Sequence, residues 1–153
     1  MTNVKPVPAG RPVLAPYLVV KGAAKAIEFY AKAFGARELF RLTEPQGKVG
    51  HAELAIGDAL FMLADEYPDF GALSPASVGG TPVSIHLYVD DVDRTVERAA
   101  AAGATVLRAV KDEFYGDRTG MIADPFGHKW HVASHKEDVS PAEMQKRWSA
   151  MFG

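Results

Sequence analysis

The chain contains no cysteine. That excludes disulfide staples, thiolate zinc sites and a cysteine nucleophile. No apolar run approaches the roughly 18 residues of a membrane-spanning helix. The N-terminus lacks the basic-then-apolar order of a secretion signal. An excess of one charge sign is also missing: 17 basic residues face 19 acidic ones, interspersed, for a net charge of −2. A nucleic-acid binder would carry a basic stripe, and none is visible. These absences predict a cytoplasmic globular protein with no nucleic-acid or membrane partner. At 153 residues the chain is long enough for one domain or for two fused half-size modules.

An internal repeat is present. Tyr17-Leu18-Val19-Val20 and His86-Leu87-Tyr88-Val89 are short β-runs 69 positions apart. Helical patterns follow, with Ile27-Glu28 answering Val96-Glu97 at the same offset. Gly35-Ala36 and Gly103-Ala104 end the helices one residue out of step, and glycine there suits a left-handed helix terminus. Ala23, Ile27, Tyr30 and Phe34 form the apolar side of the first helix. Val92, Val96 and Ala99 or Ala100 form that of the second, which Asp90 or Asp91 is placed to cap.

Strands are predicted over 37–43, 49–56 and 59–64, then over 105–110, 119–123 and 129–134. The order in both halves is β-α-β-β-β. The expected division is a proline-rich arm over 1–12, a first module over 13–66, a linker or lid over 67–82, a second module over 83–135, and a C-terminal helix over 136–153. Ser140-Pro141-Ala142-Glu143 is a capping box with proline in the first turn. Met144, Trp148 and Met151 or Phe152 make one apolar stripe, which suits a dimer contact.

Three segments carry a family resemblance: Ala26-Ile27-Glu28-Phe29-Tyr30 with Phe34-Gly35-Ala36, Leu87 to Asp93, and Asp124-Pro125-Phe126-Gly127-His128-Lys129-Trp130. With them the chain resembles the glyoxalase / bleomycin-resistance / extradiol-dioxygenase (vicinal oxygen chelate) superfamily. The addition of His135 to Ser140 resembles its phosphonate-operon subgroup. The resemblance implies an α+β fold of two tandem βαβββ modules forming a curved, cleft-enclosing mixed sheet, in a homodimer. It also implies four metal-ligand positions, which fall on Ala15, Met62, Ser84 and His131. Alanine has no donor atom, the thioether is soft, and serine is a poor ligand for Mn, Fe or Zn. The expected metal set is therefore none, and no cofactor is expected.

One divalent-metal alternative remains, a shifted site. His86 and His131 share an inward parity, and His51 and Glu53 share a face, so Glu53 could complete a set of two histidines and one carboxylate.

The sequence predicts a small-molecule ligand site of Tyr17, Met62, His86, Tyr88 and His131. Tyr17 and Tyr88 would offer ring area and a hydroxyl each. Metal-independent binding, such as drug or metabolite sequestration, ranks first. A lyase, isomerase or dioxygenase ranks second, with His131 or His86 as general base and Tyr88 as proton donor. A non-catalytic interaction protein using the C-terminal helix ranks third. Phe61 and Trp130 read as core, Asp124 as a turn residue, His128 as exposed and His135 as an anchor for the tail. Arg118 and Tyr115 fall beside a glycine-containing loop at the predicted cleft mouth.

Overall fold

A computed structural model describes residues 3–153; Met1 and Thr2 of the expected arm lie outside the described residues. The chain divides into two compact units, 1–80 and 81–153. Each has the predicted order. The first runs β1 (Tyr17–Val20), α1 (Ala23–Phe34), β2 (Arg37–Thr43), β3 (Val49–Ile56) and β4 (Ala59–Asp65). The second runs β5 (Ser84–Tyr88), α3 (Val92–Ala101), β6 (Thr105–Asp112), β7 (Asp117–Ala123) and β8 (Lys129–His135). The tail forms α4 (Pro141–Ala150). The fold class is α+β.

Each unit holds one four-stranded mixed sheet, ordered β1-β4-β3-β2 and β5-β8-β7-β6. The first strand pairs parallel to the last, and the other pairings are antiparallel. Parallel neighbours need a crossover, and α1 and α3 supply it. Each helix covers one face of its own sheet. Ala23, Ile27, Tyr30 and Phe34 are buried, and the Tyr30 ring meets Phe61 edge-on at 5.4 Å. In the second unit Val92, Val96 and Ala99 are buried, while Ala100 is exposed. Asp91 rather than Asp90 is the cap, its carboxylate accepting from the Arg94 amide at 3.1 Å. Trp130 is fully buried, and its indole N–H donates to Asp124 at 3.0 Å. Asp124 also accepts from the amides of Phe126 and His128 and so closes the β7–β8 turn. His128, read as exposed, is half-buried beside that turn.

The 67–82 segment contains two short helical pieces, a 3-10 turn at Pro68–Phe70 and α2 at Pro75–Val78. Both begin on proline, which is tolerated in a first turn because its missing N–H has no helical partner there. At the tail, Ser140 caps α4 by accepting from the Glu143 amide, as predicted. Trp148 packs its ring 5.7 Å from Phe114 and 5.0 Å from Phe152, and Arg147 donates to the Phe114 carbonyl and to Glu137. No helix among the described residues is long and apolar enough to cross a membrane.

Candidate functional site

Alternate strand residues point to opposite faces. With even-numbered residues of β8 such as Trp130, Val132 and Ser134 under α3, the odd-numbered ones lie on the uncovered face. The pairing registers then line up one row of neighbours across each sheet. In the first unit the row is Tyr17–Met62–Glu53–Phe40. In the second it is His86–His131–Met121–Arg108. The predicted ligand-site residues thus occupy equivalent places: Tyr17 answers His86 and Met62 answers His131. Tyr88 lies two residues beyond His86 on the same face.

In the first unit Tyr17 is half exposed, yet its hydroxyl is not free. It lies 2.8 Å from His51 Nδ1, whose Nε2 lies 2.8 Å from Glu53 Oε2. The other Glu53 oxygen accepts from Arg11. The arm is therefore pinned at Arg11. Glu53 is buried, and the hydrogen bond from His51 holds its carboxyl below the ordinary range, against the opposing effect of burial and with help from Arg11. Burial, and then the Glu53 charge, pushes the Tyr17 phenol up. The shifted metal set drew on Glu53, but both of its oxygens are already bound within this chain.

In the second unit the His86 and His131 rings lie 6.2 Å apart with planes within 10° of parallel. Arg108 places a guanidinium nitrogen 3.4 Å from His131 Nδ1. Burial, then the charges of Arg108 and His86, pull the His131 imidazole below its usual range. A guanidinium can only donate, so in this contact Nδ1 is the acceptor and Nε2 carries the ring proton toward the open face. Tyr88 donates its hydroxyl to Asp117 Oδ2 at 2.7 Å, and Asp117 is buried. That bond, then burial, raises the Tyr88 phenol. Its hydroxyl proton points to Asp117.

Asp117, the partner of Tyr88, is not singled out by the sequence, which predicts the strand from Thr119 although β7 begins at Asp117. Burial pushes its carboxyl up, but bonds from His135 at 2.7 Å and from Tyr88 outweigh this and hold it low. The Asp117 carboxylate, with Asp138 2.8 Å from Nε2, lifts the His135 imidazole. His135 thus ties the sheet to the segment entering the tail. Arg118 sits at the start of β7, beside the Gly116 bend, and Asp93 and Asp112 occupy its guanidinium.

The four metal positions that the resemblance implies carry a methyl group at Ala15 and a thioether at Met62 in the first unit, and a hydroxyl at Ser84 and an imidazole at His131 in the second. Ala15 lies just ahead of β1, and Ser84 is the exposed first residue of β5. One imidazole with no carboxylate is short of the three protein ligands a catalytic divalent ion takes. The residues present do not fit such an ion at these positions.

Residues 12–132 match the Glyoxalase/Bleomycin resistance protein/Dioxygenase superfamily. The uncharacterized protein Mb0911c from Mycobacterium bovis is 48% identical over 142 residues, covering 91% of this chain and 93% of that one. The fold is similar to TioX from Micromonospora sp. ML1, at 26% identity and TM-score 0.63 over 82% of this chain and 99% of that one. It is also similar to PA1353 from Pseudomonas aeruginosa, at 25% identity and TM-score 0.66 over 83% and 100%. With two βαβββ units and a match spanning most of its length, the chain belongs to the Glyoxalase/Bleomycin resistance protein/Dioxygenase superfamily.

Proposed function

We propose that the chain binds a small, planar, partly polar organic molecule without a metal ion. It would do so in the cytoplasm, as a homodimer, sequestering a drug or metabolite. The observation that carries this reading is the row on the uncovered face of the second sheet. His86 and His131 hold near-parallel rings there, beside Tyr88. A flat ligand gains ring contact from these side chains and a hydrogen bond from a neutral imidazole. Tyr17 and Met62 supply aromatic and thioether surface at the equivalent places of the first unit. Met62 is polarizable and adapts to irregular ligands.

Calorimetric titration against a panel of aromatic antibiotics and metabolites tests the reading. Saturable binding is expected from the metal-free protein. His131→Ala should weaken it by about 0.5–1.5 kcal/mol, the net worth of one hydrogen bond. Absence of saturable binding from the whole panel would count against it.

One observation favours a second reading, an enzyme. His131 Nδ1 faces the Arg108 guanidinium over a long 3.4 Å contact; released from it, Nδ1 is a proton acceptor beside a cation able to stabilise the anion left behind. On that reading His131 is the base, His86 its neighbour, and the reaction a lyase- or isomerase-type proton abstraction. A pH–rate profile that disappears in His131→Ala distinguishes it from simple binding.

A further inference from the structure

The chain of groups behind Tyr17 has a direction. Glu53 is a buried carboxylate, held ionised by Arg11 on one oxygen and His51 on the other. Only an N–H can donate to it, so His51 carries its proton on Nε2. In the neutral ring the Nδ1 atom then has a lone pair, and at 2.8 Å it accepts the Tyr17 hydroxyl proton. The result reverses the usual behaviour of a surface tyrosine. Its proton points inward to a base, and its oxygen lone pairs are turned to the open face. The imidazole sits between two aromatic rings, Tyr17 at 5.5 Å and Phe40 at 5.7 Å, and both rings are partly exposed.

We propose that Tyr17, His51 and Glu53 form a proton-accepting relay for a ligand with a weakly acidic hydroxyl, a phenol or an enol. The ligand O–H proton moves to the Tyr17 oxygen while the original Tyr17 proton moves to His51 Nδ1. The ligand is left as its oxyanion. Tyr17 remains a neutral phenol, and the new imidazolium lies against the Glu53 carboxylate. Bond making and breaking balance, and no co-reactant is needed. The logic is that of a nucleophile–histidine–carboxylate triad, in which the carboxylate orients the imidazole and stabilises its charged form. Arg11 is a positioning residue, since it touches only Glu53. The inference goes beyond the proposed binding function and stands on the first unit alone.

The relay competes with a purely structural role, pinning the arm through Arg11. Nitrogen-15 NMR of the full chain labelled at histidine separates them, with 4-nitrophenol as probe. In the unliganded protein His51 is expected as the Nε2–H tautomer. The probe is then added in excess at a pH one unit below its own free pKa, where about a tenth is phenolate. The phenolate fraction of the bound probe should rise to about a half or more, and the His51 shifts should move to those of imidazolium. Tyr17→Phe keeps the ring and should remove both responses; Glu53→Gln should sharply reduce the imidazolium. A His51 protonated on Nδ1 before addition would overturn the proposal. So would a bound probe that stays neutral, an unaltered response in Tyr17→Phe, or no probe binding at millimolar concentration.

Discussion

Replacing Gly116 by alanine should be among the most damaging single-methyl additions in the second unit. Its φ is +100°, a conformation that L side chains avoid. A Cβ there would lie 2.3 Å from the Glu137 carbonyl oxygen and 3.0 Å from Val139 Cγ2. The backbone must therefore part from the segment that leads into α4. That segment is held by two hydrogen bonds to the Gly116 carbonyl, from Lys136 at 2.8 Å and Glu137 at 3.0 Å. The conformational cost is about 1–2 kcal/mol. Each lost backbone bond adds about 0.5–1.5 kcal/mol. The expected loss is thus roughly 2–5 kcal/mol. Gly57→Ala is the control, because it also has positive φ, +57°, but meets nothing within 4 Å. Urea unfolding followed by circular dichroism gives both values, and amide exchange at Lys136 and Glu137 reports the local opening. If Gly116→Ala lies within about 1 kcal/mol of the control and both amides stay protected, the close packing of the tail segment on this turn is wrong.

Trp130→Phe should cost about 2–4 kcal/mol, since it leaves a void in a fully buried site and removes the donor to Asp124; thermal unfolding checks it, and a cost below about 1 kcal/mol would deny the turn this anchor. The Asp117–His135 pair predicts opposite slopes at its two ends. His135 is raised in the folded state, so its contribution is complete below the ordinary imidazole value and fades as pH rises through the folded one. Asp117 is lowered, so its contribution is present above the ordinary carboxyl value and fades as pH falls through the folded one. His135→Gln should therefore remove the alkaline decline, measured as urea midpoint against pH; a decline identical to that of the native chain would refute the pairing.

Much of this architecture is legible from periodicity. The bounds of β2 and β3 follow from alternation between glycine-marked turns, and the cap of α4 follows from Ser140 and Glu143 at the required spacing. The 69-residue offset makes Tyr17 equivalent to His86 and Met62 equivalent to His131, because strand period and repeat register are local properties. What stays hidden is side-chain pairing across the sheet. Asp117 follows Gly116 and reads as loop, although β7 begins there. The partners of Arg118 lie 25 and 6 positions away along the chain. Both tyrosine hydroxyls look available in the sequence, yet one is committed to His51 and the other to Asp117. The linker or lid segment 67–82 carries no helical signal in the sequence, although Pro68 and Pro75 each open a short helical turn. His51 and Glu53 are visible as a same-face pair. Arg11, which fixes their orientation, comes from the irregular arm, where periodicity carries no signal.

The claim most exposed to test is that this chain handles its ligand without a metal ion. Purified protein should be incubated with Mn, Fe, Ni and Zn in turn, desalted, and analysed for metal by mass spectrometry. With Ala15, Met62, Ser84 and His131 at the positions the resemblance implies, far less than one ion per chain is expected in every case, with ligand binding unchanged by chelator. One tightly held ion per chain, lost in His131→Ala, would contradict the account.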